Sequence, residues 1–377
     1  MLNPIKIFVD AHVFDKEHQG TKTFIREIYK RLSKKPDVKL FLAARNVDNL
    51  KNVFGSENNI EYLQYSSASP YKRLALELPG ILKKIKPDYA HFQYVVPPIK
   101  YCKYIVTTHD LLFRDFPKEF PISYRVSKNI LFKYSLDRAD IITTVSDYSK
   151  EAINKHYNIS LPRITIIPNG VSEAFFEEFD SNQSKNFLES KYKTRKYILY
   201  VSRIEPRKQQ DILLRAYLDL ELYKQNIDLI FIGHLSIVDK NIEALISRIP
   251  VEYKDHVKFF SGIDDDDLFH FYKGAELFAY PSLAEGFGIP PLEAGALGIP
   301  TICSNVTAMR DFTFFKELHI TPNLEEFKVR LDNYFKKEIF PSKDHILEVK
   351  KQIQLKYSWD NAVDKLYKLI YEDLNKV

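Results

Sequence analysis

The residues best equipped for chemistry lie in one stretch, Pro281-Ser-Leu-Ala-Glu285-Gly286-Phe287-Gly288-Ile-Pro290-Pro291-Leu-Glu293-Ala-Gly295-Ala-Leu-Gly298-Ile-Pro300. It holds four of the chain's 11 glycines within 13 residues. Gly286 and Gly288 let backbone N–H groups approach an anion, and a helix opening at Pro290 or Pro291 adds a favourable dipole. Glu285 on the loop and Glu293 in the first helical turns can accept hydrogen bonds from pairs of hydroxyls. The glycines alone fit equally well a plain strand-to-helix turn bearing two surface glutamates. Arg203 and Lys208, five apart, pair a planar fork with a mobile point charge, as an anion site or as a solvated basic loop. His109 follows a short apolar run and reads as a site histidine or a structural one. Asp264-Asp-Asp-Asp267 imitates a metal-binding carboxylate cluster. Its place before Leu268 fits a solvated polar turn with helix N-cap residues better. Gly286-Phe287-Gly288 starts a dinucleotide fingerprint, but Pro291 stands at its third position, and no Walker A sequence occurs.

Short apolar runs alternate with helical patterns and would position these residues. Strands are expected at Ile5–Val9, Val38–Ala43, Ile60–Leu63, Tyr89–Phe92, Tyr104–Thr107, Ile141–Val145 and Ile164–Ile167. The rhythm restarts at Tyr197–Val201, Leu229–Ile232, Val257–Phe260, Leu277–Ala279 and Thr301–Cys303. Such alternation predicts an α/β fold with doubly wound parallel sheets. The polar, glycine-free stretch Glu177–Thr194 reads as a connection between two domains, 1–176 and 177–358. The apolar stripe Val363, Leu366, Tyr367, Ile370 and Leu374 predicts a helix within 359–377, able to pack on either domain, with the first as its candidate.

With 377 residues, 45% hydrophobic and 28% charged, the composition is that of a globular protein of about two domains. So few glycines exclude collagen-like and flexible-linker classes. Cys102 and Cys303 alone allow neither a disulfide framework nor a thiolate zinc site. No signal-peptide pattern and no run of 18 apolar residues is present, so a cytoplasmic location is expected. Residues 1–170 carry 27 Lys/Arg against 17 Asp/Glu (+10), and the remaining 28 against 33 give −5. Lys30-Arg31, Lys34-Lys35, Lys83-Lys84 and Lys86 are either solvated helix faces or attachment points for an anionic membrane surface. No nucleic-acid module accompanies the charge, so no nucleic-acid partner is expected.

The E-x7-E pair, set in PS-x-x-EGFG-x-PPLEA-x-A-x-G-x-P, resembles the retaining glycosyltransferases of family 4. Further similarities follow in order: Val106-Thr-Thr-His109-Asp110-Leu111, Ala139-Asp140 to Ser146, Ile167-Pro168-Asn169-Gly170-Val171, Tyr200-Val-Ser-Arg203-Ile-Glu-Pro-Arg-Lys208, Ile232-Gly233 and Gly262-Ile263 to Ala275. The resemblance implies a GT-B fold, two Rossmann-like domains facing a cleft, with the acceptor on the first and the nucleotide-sugar on the second. It implies that Arg203 and Lys208 neutralise the diphosphate, Glu293 binds the ribose hydroxyls and Glu285 contacts the transferred sugar. Gly286, Phe287, Gly288 and Gly20 would line the donor, with His109 facing the sugar. Asp110, Ser146, Asn169 and Gly170 become acceptor or cleft positions. Two departures stand out: one glycine, Gly20, in a loop where the family has two, and a shortened segment after Asn305.

The resemblance further implies no cofactor and no metal needed for the chemistry. The THDL segment followed by Phe116-Pro117 is most similar to bacterial mannosyltransferases of O-antigen (lipopolysaccharide) and capsule assembly. That points to GDP-mannose as donor, a glycan or lipid-linked oligosaccharide as acceptor, and a peripheral position at the inner membrane face. A nucleotide-sugar epimerase, a phosphorylase, or a non-catalytic nucleotide-sugar-binding assembly protein are the alternatives on the same architecture.

Overall fold

The computed structural model describes residues 4–15, 20–234 and 240–376. His18 and Gln19, which precede Gly20 in the loop singled out above, lie outside the described residues. The chain divides into two compact units, Met1–Gly170 with Trp359–Val377, and Val171–Ser358.

The first unit is built on seven parallel strands: β1 Ile5–Asp10, β2 Val38–Ala44, β3 Ile60–Gln64, β4 Tyr89–Gln93, β5 Lys103–Thr107, β6 Ile141–Thr144 and β7 Ile164–Ile166. Their order is β3-β2-β1-β4-β5-β6-β7. The second unit has β8 Tyr197–Val201, β9 Asp228–Ile232, β10 Val257–Phe260, β11 Leu277–Tyr280, β12 Thr301–Ser304 and β13 His319–Ile320, ordered β10-β9-β8-β11-β12-β13. All these pairings are parallel. Inner strands such as β8 and β9 are buried apolar runs because helices cover both faces of a parallel sheet, whereas the edge strands β3 and β10 are only partly buried. Each order reverses once, between β1 and β4 and between β8 and β11. These are the switch points where a crevice opens beyond the strand ends.

Tyrosine carries much of both cores. Tyr29, Tyr89, Tyr104, Tyr197, Tyr200, Tyr217, Tyr272 and Tyr280 are fully buried. A buried phenol needs a partner for its hydroxyl. Accordingly Tyr104 donates to the carbonyl of Ile99 at 2.7 Å, Tyr197 to that of Phe271 at 2.7 Å and Tyr217 to that of Ile227 at 2.7 Å.

The helix Trp359–Leu374 belongs to the first unit. It buries Trp359, Ala362, Val363, Leu366 and Ile370, each large side chain contributing roughly 1.5–3 kcal/mol. Gly170, expected at a ligand cleft, has another reason to be glycine. A Cβ there would stand 2.5 Å from the backbone nitrogen of Trp359. The basic face of the helix Gly20–Leu32 also differs from expectation. Arg31 pairs with Asp360 at 2.8 Å and Lys35 with Asp364 at 3.0 Å, so the last helix neutralises part of that patch.

The stretch read as an interdomain connection is instead largely a helix, Ser181–Tyr192, capped by Asp180 accepting from the N–H of Asn182 at 2.9 Å. It packs on the helix Asp265–Gly274, with Lys191 on Asp267 at 2.5 Å and Lys185 on Glu276 at 2.5 Å. Its apolar face is so narrow, with Leu188 buried, that composition hid it. The acidic run is likewise less solvated than expected. Asp264 caps the helix by accepting from the N–H of Asp267 at 2.7 Å, and Asp267 is buried against Lys191 and the Tyr192 hydroxyl. Among the described residues, no cluster of three His, Cys, Asp or Glu is arranged to hold a metal ion, and no helix is long and apolar enough to cross a membrane.

Candidate active site

In the second unit the segments leaving β8 and β11 flank the switch point. After β8 the chain turns through Arg203–Glu205 into the 3-10 turn Pro206–Lys208. After β11 it passes Ser282–Gly288 and enters the helix Ile289–Ala296. The two loops are stitched together: Leu283 N–H donates to the Arg207 carbonyl at 2.9 Å, and Arg207 Nη1 donates to the Ala284 carbonyl at 2.6 Å. This holds Lys208 Nζ 2.5 Å from Glu285 Oε1 and 3.0 Å from the Tyr280 hydroxyl, all three buried. Tyr280 donates to the same carboxylate at 2.9 Å, and Arg207, itself on Glu205 at 2.9 Å, lies 3.8 Å from Oε2. Burial alone would raise the Glu285 carboxyl, but the charges of Lys208 and Arg207 outweigh it and hold it down at about 2. Arg203 projects outward, 59% exposed, with Glu205 at 3.2 Å.

Gly288 starts the helix at φ +101°, and a Cβ there would meet Met309 Cγ at 2.7 Å. One turn on, Glu293 accepts from the Tyr272 hydroxyl at 2.9 Å, and burial pushes its carboxyl up to about 7. The segment after Asn305 forms 3-10 turns. Thr307 Oγ1 accepts the Glu285 N–H at 3.0 Å, so this segment also fixes the loop.

In the first unit Gly20 begins the helix Gly20–Leu32, with no described residue within 4 Å of where its Cβ would stand. His109, just beyond β5, is buried. Its Nε2 bonds Gln93 at the end of β4, and its ring packs edge-on against Phe24 at 5.1 Å. Burial pushes the imidazole down to about 3, so it is neutral at physiological pH.

Comparison with known proteins agrees with this geometry. The family model described as Glycosyltransferase Family 4 matches residues 18–175, and that described as Glycosyl transferases group 1 matches 182–347. The O-antigen chain mannosyltransferase B of Escherichia coli is 28% identical over 327 residues, 81% of this chain and 83% of its own. The sucrose-phosphate synthase of Thermosynechococcus elongatus superposes with a TM-score of 0.75 at 18% identity, over 99% of both chains. Anabaena HepE, solved with UDP-glucose, gives 0.73 at 15%, again over 99% of both. The chain belongs to glycosyltransferase family 4. Its fold is GT-B.

Within this glycosyltransferase, Glu285, Lys208 and Arg203 surround one switch point, and Glu293 opens the adjoining helix. Several other expected positions have structural duties. Phe287 is an apolar packing residue, edge-on to Tyr357 at 5.6 Å and Phe312 at 6.5 Å, which its aromatic type alone could not reveal. Ser146 caps the helix Asp147–Tyr157, accepting the Ser149 N–H at 3.2 Å. Asp110 accepts the Leu112 N–H at 3.2 Å in a similar local turn. Asn169 is buried, with its Oδ1 unpartnered among the described residues. Sequence reasoning missed Arg207, Tyr280, Tyr272, Thr307 and Gln93. Arg207 and Tyr280 adjoin quoted motif residues, and that adjacency was the available signal.

Proposed function

We propose that this glycosyltransferase moves a hexose, mannose from GDP-mannose, to a glycan or lipid-linked oligosaccharide with retention of anomeric configuration. The observation carrying this reading is the buried Lys208–Glu285 pair at the β8/β11 switch point. Lys208, Arg203 and the N–H groups around Gly286 and Gly288 offer fixed positive charge to a departing diphosphate. Glu285 takes hydroxyls of the transferred sugar and Glu293 those of the ribose. The second unit holds the nucleotide, and the first supplies His109 and the acceptor surface. The acceptor oxygen forms its bond to the anomeric carbon on the face from which the phosphate oxygen leaves, and that phosphate oxygen takes the acceptor proton. Cationic side chains fill the charge-neutralising role, so the step runs without a metal ion. Mannose is favoured by the likeness to an O-antigen mannosyltransferase, and a nucleotide-sugar donor by the neighbour solved with UDP-glucose.

The test is a panel of nucleotide-sugars with release of nucleoside diphosphate as readout, with and without a chelator. GDP-mannose should be consumed fastest, at a chelator-insensitive rate. Near-normal transfer by Glu285→Gln and Lys208→Ala variants would overturn the site assignment.

The acceptor chemistry suggests work at an anionic membrane surface. The helix Ile122–Arg138 exposes Ile122 (70%), Val126 (56%) and Ile130 (63%), one residue per turn, and carries Arg125, Lys128 and Lys133. Apolar insertion with nearby Lys or Arg, each contributing about 1 kcal/mol, suits anionic lipid. Co-sedimentation with phosphatidylglycerol vesicles should fall when all three apolar residues become serine. Unchanged binding would refute this surface.

A further inference from the structure

We propose that Gln93 is a positioning residue that fixes the tautomer of His109, and that His91 in turn locks the amide of Gln93. The proposal rests on the reading that His109 meets the donor sugar, and extends it to what the imidazole can offer.

An amide oxygen only accepts hydrogen bonds and an amide nitrogen only donates. Gln93 Oε1 faces His109 Nε2, so that nitrogen carries the proton and Nδ1 keeps its lone pair. A free glutamine could turn over and reverse this assignment. Gln93 is not free: its Nε2 lies 3.3 Å from Nε2 of His91, which also stands 2.6 Å from Thr107 Oγ1. The other His91 nitrogen, Nδ1, is 2.5 Å from the Tyr29 hydroxyl. A consistent ordering follows. With the amide as placed, Gln93 donates to His91 Nε2, whose one lone pair also faces the Thr107 hydroxyl, and His91 Nδ1–H then points at the Tyr29 oxygen. Reversing the amide would switch both imidazoles to their other tautomers together, so Gln93 couples the proton position of His109 to that of His91.

All of these groups are buried, so none can exchange its partner for water. Both imidazoles are held neutral, each pushed down to about 3, by burial first and for His91 also by His109. Phe24 and Tyr94 pack on the His109 ring at 5.1 and 5.5 Å, so the ring is oriented as well as the proton. His109 Nδ1 makes no hydrogen bond among the described residues. The ligand group it suits is therefore a hydroxyl that donates, as on a sugar, and not a phosphate oxygen.

The experiment uses the full chain labelled with 15N-histidine and long-range 1H–15N correlation at neutral pH, with His109 assigned by substitution. The expected result is a neutral Nε2–H tautomer at His109. Gln93→Leu should give mixed tautomers and lower kcat about tenfold, the lower end of what partners of metal-bound histidines contribute, with nucleoside diphosphate affinity unchanged. Gln93→Glu puts a carboxylate on Nε2. His109 should then titrate in the accessible range, and kcat should fall as pH falls, recovering at high pH. Should the leucine variant not fold, the glutamate variant decides alone. An Nδ1–H tautomer in the native protein, or a tautomer and pH profile untouched by both substitutions, would overturn the proposal. If His109→Ala keeps full transfer while the tautomer behaves as stated, the ordering stands and the sugar-facing role of His109 fails.

Discussion

Removing the Lys208–Glu285 pair whole should cost less than the summed losses of its two halves. A glutamate held at about 2 instead of its ordinary 4.5 contributes about 3 kcal/mol at neutral pH. The folded value is the depressed one, so the contribution is complete above the unfolded value of 4.5 and is lost only as pH falls toward 2. Glu285→Gln should therefore destabilise the second unit by about 3 kcal/mol, evenly between pH 5 and 8, in the range found when one partner of a buried pair is lost. Lys208→Met should cost less, about 2 kcal/mol, because Arg207 at 3.8 Å and the Tyr280 hydroxyl at 2.9 Å still face the carboxylate. The double variant leaves no unpaired charge and should be more stable than the sum of the two losses by about 2 kcal/mol.

The assay must report on the second unit. The single tryptophan, Trp359, belongs to the first. Urea unfolding should therefore be followed by far-UV circular dichroism, with Trp359 fluorescence as the internal control that stays unchanged. Losses that add to within about 0.5 kcal/mol would mean the two groups are not coupled, and the electrostatic reasoning would fail. A double variant that still folds, yet transfers no sugar, would separate the pair's structural role from its chemical one.

Other outcomes follow from the same geometry. Nucleoside diphosphate affinity should rise as pH increases through about 7, where Glu293 ionises and becomes a pure acceptor for ribose hydroxyls. Calorimetry between pH 6 and 8 should show about a tenfold gain that Glu293→Gln abolishes, and a parallel profile in that variant would contradict it. In the last helix, Leu366→Ala should cost about 2–5 kcal/mol by Trp359 fluorescence, since Leu366 is buried. Asp360→Asn and Asp364→Asn, on exposed carboxylates, should each change stability by under about 1 kcal/mol. Gly233→Ala should impair folding of the second unit, because a Cβ there would meet the Ser202 carbonyl oxygen at 1.9 Å.

What was legible in the sequence depended on whether a residue's role is local or assembled. The strand Tyr197–Val201 was readable to the residue because burial on both faces makes it an unbroken apolar run. Strand β13, of two residues, gives no such signal, and the helix Ser181–Tyr192 buries too little apolar surface to betray its period. The same division holds at the site. Glu285 and Lys208 are 77 positions apart, and only the family pattern could pair them before the fold was known. Gly170 and Gly288 look alike in sequence, yet one makes room for Trp359 and the other starts a helix at positive φ beside Met309. A glycine signals that a side chain is excluded, and not what excludes it. At Gly20, by contrast, no described residue lies within 4 Å of where a Cβ would stand.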